Sequence, residues 1–140
     1  MILFDTNVII DARNSSEANH AWATTQIVDA VAGEGAGINA VTLAELCAGS
    51  PAPEEIEPEL RKLGLEIFDM PKSAAETCGA AYRRYLFARR SSGDGRAAKI
   101  PLPDFFIGAH AEAMRWKLAT RDSERIAKYF PKVVLLTPKK

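Results

Sequence analysis

A chain of 140 residues, read as one domain spanning 1–140, is long enough to bury about 70% of its unfolded surface. Its 18 basic and 18 acidic residues cancel, so net charge selects no partner, and no apolar run approaches the roughly 18 residues of a membrane span. Cys47 and Cys78 form no C-x-x-C pair and the first residues lack a basic leader segment, so the expectation is a reduced, cytoplasmic protein without a membrane partner.

In chain order, Ile2, Leu3 and Phe4 predict a short buried strand, and Val8, Ile9 and Ile10 resume the apolar pattern in a helix from Thr6. Between them stands Asp5, a charge that costs several kcal/mol there unless it is paired, hydrogen-bonded or bound to a metal. A long helix is predicted over 17–32, and Gly33, Gly35 and Gly37 break the chain before a strand at 37–40. Helices over 41–48 and 54–63 follow. Gly64 closes the second, and a strand at 65–68 stops before Pro71. The longest helix is predicted over 73–90, and residues 91–103 form a long loop of the kind that is usually functional or disordered. A helix over 104–116, a strand at 118–120, a helix over 123–130 and a last apolar run at 133–136 complete the chain. Strands alternating with helices predict an α/β fold, its central sheet mainly parallel, four- or five-stranded and covered on both faces.

Charge is unevenly placed. Five glutamates (Glu54, Glu55, Glu57, Glu59, Glu66) lie near Arg61 and Lys62, whereas Arg83, Arg84, Arg89, Arg90, Arg96 and Lys99 face Asp94 alone. That segment permits an anion-binding face, although two solvated helix faces explain the same pattern.

Four acids sit on apolar elements. Asp5 and Asp122 follow the first and fourth strands, where open α/β sheets bind ligands. Asp104 opens a helix behind Pro101 and Pro103, and Glu45 lies in the apolar helix "VTLAELCAG". Taken singly, Asp104 and Asp122 read as helix caps and Glu45 as a solvent-facing side chain. None of the four is explained by a partner nearby in sequence. Together they describe an acidic pocket, and crowded carboxylates call for a hard cation, Mg²⁺ or Mn²⁺ rather than zinc, since no His or Cys stands beside them. A cation held so, alone or as a pair, suits phosphodiester hydrolysis, with Arg83–Arg90 and Arg96–Lys99 holding a nucleic-acid backbone.

The segments "ILFDTNVII", "TLAELCAG", "LPDFFIGAHA" and "LATRDSERIAKYFP" resemble the four acidic motifs of the PIN domain, with the nearest likeness to toxins of the VapC type and their FitB-like relatives. The resemblance implies a three-layer α/β fold and an Mg²⁺- or Mn²⁺-dependent endoribonuclease, the toxin of a toxin–antitoxin pair. It also implies a homodimer and a small antitoxin that binds near the active site. Carried across residue by residue, it makes Asp5, Glu45, Asp104 and Asp122 the acidic quartet, with Asp5 and Asp104 as direct metal ligands. Thr6, Asn7 and Thr120 match polar positions that orient the carboxylates. Phe105 and Phe106 leave no further acid beside Asp104, so no fifth ligand is expected.

Arg89, Arg90, Arg96, Lys99 and Arg121 are the candidate RNA contacts, and for Arg121 an ion pair with a site carboxylate competes with that role. His110, about 240° around the helix from Asp104, reads as a core or surface residue, and His20, Trp22 and Trp116 as packing. Tyr82, Tyr85, Leu86 and Phe87 read as core or dimer packing. A haloacid-dehalogenase-type phosphotransferase also places an Asp after its first strand, but needs a second Asp where this chain has Asn7. Two alternatives stay open: a PIN nuclease of RNA processing, and a non-catalytic RNA- or protein-binding module on the same fold.

Overall fold

The computed structural model describes residues 1–93 and 100–139. The loop candidates Arg96 and Lys99 therefore lie outside the described residues. Five strands, β1 (Ile2–Phe4), β2 (Ala36–Asn39), β3 (Glu66–Phe68), β4 (Lys117–Ala119) and β5 (Leu135–Leu136), form one sheet in the order β3-β2-β1-β4-β5. Every pairing is parallel, including β1 on both its neighbours: Leu3 lies opposite Gly37 on one side and Leu118 on the other.

Parallel strands need crossovers, and here helices supply them. On one face lie α1 (Thr6–Arg13), α2 (His20–Ala32), α3 (Ala40–Ala48) and α4 (Ile56–Lys62). On the other lie α5 (Lys72–Ser91), α6 (Pro103–Met114) and α7 (Ser123–Tyr129). Side-chain alternation along each strand feeds two separate cores. Ile2, Phe4, Ile38 and Ala119 pack with Val8, Ile9, Ile27, Leu46 and Leu60. Leu3 and Leu118 pack with Cys78, Tyr85, Phe105, Ile107, Ile126 and Phe130. The result is the expected three-layer α/β arrangement.

From β1 the chain steps outward through β2 to β3, using helices on the first face. It then returns past β1 to β4 through α5 and α6 on the second. Right-handed crossovers force that change of face when the direction reverses. The reversal lies between β1 and β4, and it opens a crevice at their carboxyl ends.

Local chemistry moves several expected boundaries. The helix expected from 17 begins at His20, because Asn14 accepts from the Ser16 amide (3.1 Å) and hydroxyl (2.7 Å), and turns at Glu17 and His20 precede the helix. Gly37 is no breaker but a strand residue: a Cβ there would lie 2.3 Å from the Phe68 ring on the neighbouring strand. The helix expected over 54–63 opens as a 3₁₀ turn at Pro53–Glu55 before α4, and Gly64 follows with φ +92°. The last apolar run pairs only at Leu135–Leu136. Both cysteines are free, and Cys78 is buried. Among the described residues no helix is long and apolar enough to cross a membrane.

Candidate active site

The crevice at the reversal point is a cleft of about 300 Å³ lined by Asp5, Thr6, Asn7, Ile10, Glu45, Asp104, Ile107, Asp122, Arg125 and Ile126. All four acids singled out in the sequence reach it, each from a different element.

Asp5 is the first residue after β1 and the N-cap of α1. Its backbone still belongs to the sheet, since its amide donates to the Ala119 carbonyl (2.9 Å). Its carboxylate accepts three hydrogen bonds: the Thr6 amide on Oδ1 (2.7 Å), and Thr120 Oγ1 (2.7 Å) and Asn7 Nδ2 (3.3 Å) on Oδ2. Three donors make a partly buried carboxylate tolerable. Even so, burial pushes its pKa up, and repulsion from Asp122 and Asp104 adds to the rise against the opposing bonds from Thr120 and Thr6. Thr120 is itself fixed, because its hydroxyl accepts from the Asp122 amide (2.9 Å) while donating to Asp5. Asn7 accepts from the Arg121 amide (3.3 Å), which ties α1 to the turn after β4.

Glu45 arrives on α3. Asn39, at the end of β2, caps that helix by accepting from the Thr42 amide (3.0 Å), and Thr42 and Glu45 then share one face. The Thr6 hydroxyl donates to Glu45 Oε1 (2.9 Å) and lies 3.1 Å from Thr42 Oγ1. Glu45 is the most exposed of the four acids, yet partial burial raises its pKa, with Asp104 and Asp5 contributing after the opposing Thr6 bond.

Asp104 occupies the first turn of α6 behind Pro103, where the helix dipole favours a negative charge. It is a first-turn residue rather than the cap. Its neighbour Phe105 is 1% exposed and lies against Tyr82, Tyr85 and Tyr129, with ring centroids 5.0, 5.4 and 5.4 Å away. Phe105 thus replaces any further acid with an anchor that fixes the helix start. Ile100 is held nearby: its amide donates to the Tyr85 hydroxyl (2.7 Å) and its carbonyl accepts from Tyr82 (2.9 Å).

Asp122 stands at the N-cap position of α7 without a side-chain capping bond. Its Oδ2 pairs with Arg125 Nη2 at 2.9 Å, and Arg125 Nη1 lies 3.6 Å from Asp104 Oδ2. The expectation that no acid has a partner nearby in sequence is therefore wrong for Asp122, whose partner is three residues on. A D-x-x-R spacing at a helix start was the signal that could have found it.

Arg121 pairs with Asp11, not with a cleft carboxylate. Its Nε lies 2.8 Å from Asp11 Oδ2, an ion pair whose N–H is not aligned for a hydrogen bond. Asp11 is 1% exposed within α1, and the sequence reading missed it. The reasoning applied to Asp5 would have found it, since Val8, Ile9 and Ile10 precede it. Arg89 and Arg90 lie in the last turn of α5, and Arg89 Nη1 donates to the Tyr85 hydroxyl (3.4 Å). His110 is buried beside Trp116 and Phe68, away from the acids' cleft, as the helical angle indicates.

The donor set among the described residues, four carboxylates and no imidazole or thiol, fits a hard divalent cation, as do the burial and the lesser mutual repulsion that raise Asp5 and Glu45. Among the described residues no three acid, His or Cys side chains are grouped tightly enough to hold a metal as they stand. Asp104 and Asp122 instead share Arg125, so a cation would have to draw the carboxylates together.

The family profile described as PIN domain matches residues 2–130 of the chain. No curated protein matches it. Several solved structures share the fold. A chain of the VapBC2 complex from Rickettsia felis, bound to a promoter DNA fragment, has 23% identity and a TM-score of 0.65, covering 98% of both chains. A chain of a toxin–antitoxin complex from Klebsiella pneumoniae has 24% identity and a TM-score of 0.67, covering 100% of this chain and 99% of that one. A chain of FitAcB from Neisseria gonorrhoeae has 22% identity and a TM-score of 0.61, covering 99% and 98%.

Proposed function

This chain belongs to the PIN-domain family, and from that premise we propose that it is an Mg²⁺- or Mn²⁺-dependent endoribonuclease acting as the toxin of a toxin–antitoxin pair. One observation carries the reading: four carboxylates from four elements meet in one cleft at the sheet's reversal point. Asp5 and Asp104 would hold the cation, and Glu45 and Asp122 would complete its surroundings. When bound, the cation supplies a Lewis acid and an activated water for attack on phosphorus.

The chain's own residues prepare that chemistry. Thr120, Asn7 and the Thr6 amide fix the Asp5 carboxylate, and the Thr6 hydroxyl turns Glu45 toward it. Burial and crowding keep Asp5 and Glu45 poorly compensated without a cation, which favours its capture. Ile10, Ile107 and Ile126 give the cleft apolar walls that strengthen electrostatics inside it. Arg89 and Arg90 remain candidate contacts for the RNA backbone.

The toxin role and the antitoxin partner rest on the likeness to chains of the VapBC2, Klebsiella toxin–antitoxin and FitAcB complexes. The homodimer rests on the resemblance of the acidic motifs alone, and the single domain and the cytoplasmic location on chain length and the two unpaired cysteines. The test of the nuclease reading is incubation of labelled single-stranded RNA, and DNA of the same sequence, with Mg²⁺, Mn²⁺ or EDTA. Cleavage of RNA with either metal and none with EDTA is expected. Cleavage that persists in EDTA contradicts the metal dependence, and cleavage of DNA alone contradicts the substrate.

A further inference from the structure

Among the described residues five charged side chains line the cleft, and the four acids leave the fifth, Arg125, without a role. Its guanidinium spans two acids that arrive on different elements, 2.9 Å from Asp122 and 3.6 Å from Asp104. The three side chains are 32–35% exposed, so the cluster is only partly open to water. Asp122 holds the N-cap position of α7, and instead of capping the helix its carboxylate turns to Arg125. The adjacent Ile126 is 3% exposed and fixes the helix in the core. Arg125 can therefore leave the acids by rotating its own side chain, with α7 staying in place.

We infer that Arg125 is the resident counter-cation of the cleft, which a divalent cation must displace from Asp104 and Asp122 in order to bind. The inference rests on reading these acids as cation ligands and goes beyond it by naming what compensates them beforehand. A guanidinium and a metal ion compete for the same carboxylate oxygens, so the apparent metal affinity is the intrinsic affinity multiplied by the fraction of time Arg125 spends off the acids. Once displaced, the guanidinium stays at the cleft with its fork of donors unpaired, a geometry that matches a phosphate. Metal binding would thereby prepare the cleft for the substrate backbone.

The test is calorimetric titration of Mn²⁺ into metal-free wild type, Arg125→Gln and Arg125→Lys, with thermal melting of each as a second readout. Arg125→Gln is expected to bind Mn²⁺ about 5- to 30-fold more tightly than wild type, within the range typical of coupled sites. It should also melt lower without metal and gain more from saturating Mn²⁺. Arg125→Lys should fall between, since an ammonium is a point charge without the fork. Equal or weaker binding by Arg125→Gln, with wild type binding normally, overturns the inference and leaves the nuclease reading standing. Binding by none of the three proteins overturns both. Should Arg125→Gln not fold, Arg125→Lys decides: tighter binding than wild type supports the inference, and equal or weaker binding overturns it.

Discussion

Asp5 and Asp11 stand six residues apart among apolar neighbours and are compensated differently. Asp5 takes three neutral donors and faces the cleft, whereas Asp11 turns from it and takes one guanidinium, that of Arg121. Removing that guanidinium leaves an ionised carboxylate buried without its partner. Arg121→Ala should destabilise the fold by about 1–3 kcal/mol in urea denaturation, below the figure for a fully buried pair because Arg121 is 41% exposed. Adding Asp11→Asn should restore part of the loss. His110 gives a pH signature of its own. Burial lowers its pKa from an ordinary value of 6.5, and among the described residues its Nδ1 has no hydrogen-bond partner. As pH falls through 6.5 the unfolded chain binds the proton before the folded one, so stability drops on the acid side. The urea midpoint of wild type should fall from pH 7.5 to 5.5 by more than that of His110→Phe. Equal slopes would remove His110 as the cause.

Two helical glycines separate backbone propensity from packing. Gly108 in α6 faces Phe130, and an added Cβ would lie 2.5 Å from the ring. Gly108→Ala should therefore cost about 1–3 kcal/mol by overpacking. Gly79 in α5 has nothing among the described residues within 4 Å of an added Cβ, so Gly79→Ala should stabilise by about 0.5–1 kcal/mol. Matching urea midpoints for the two variants would contradict this contrast. The order and type of the elements were legible because apolar spacing changes from strand to helix along the chain. What misled was local chemistry: Gly37 looks like a breaker alone, and only Phe68 on the neighbouring strand explains it. Asn14 delays α2 through side-chain bonds that periodicity does not register. The four acids were legible because each follows a strand or lies on an apolar helix. Arg125 was legible only in part: its spacing from Asp122 signals one ion pair, but its contact with Asp104 appears only once α6 is brought beside α7.

The whole molecule places its acids where parallel topology reverses, the one position where β1 and β4 present neighbouring carboxyl ends to a common opening. Such a cleft couples ligand to stability, because a cation bound only by the folded state raises its free energy of unfolding by about 2.7 kcal/mol at 100 times Kd. Saturating Mn²⁺ should raise Tm by about 5–10 °C in wild type and by far less in Asp104→Asn, as read by thermal melting. An equal rise in both would place the ion elsewhere. The central claim, that Asp5 stands at the end of an apolar strand to serve a cation-dependent cleavage site, is tested most directly by comparing wild type with Asp5→Asn. The two proteins are purified side by side and given single-stranded RNA with Mn²⁺. Asn keeps the shape and loses the charge, so the account predicts RNA cleavage by wild type and at least a hundredfold less (on the order of 3 kcal/mol in the barrier) by the variant. Equal cleavage by both would contradict it.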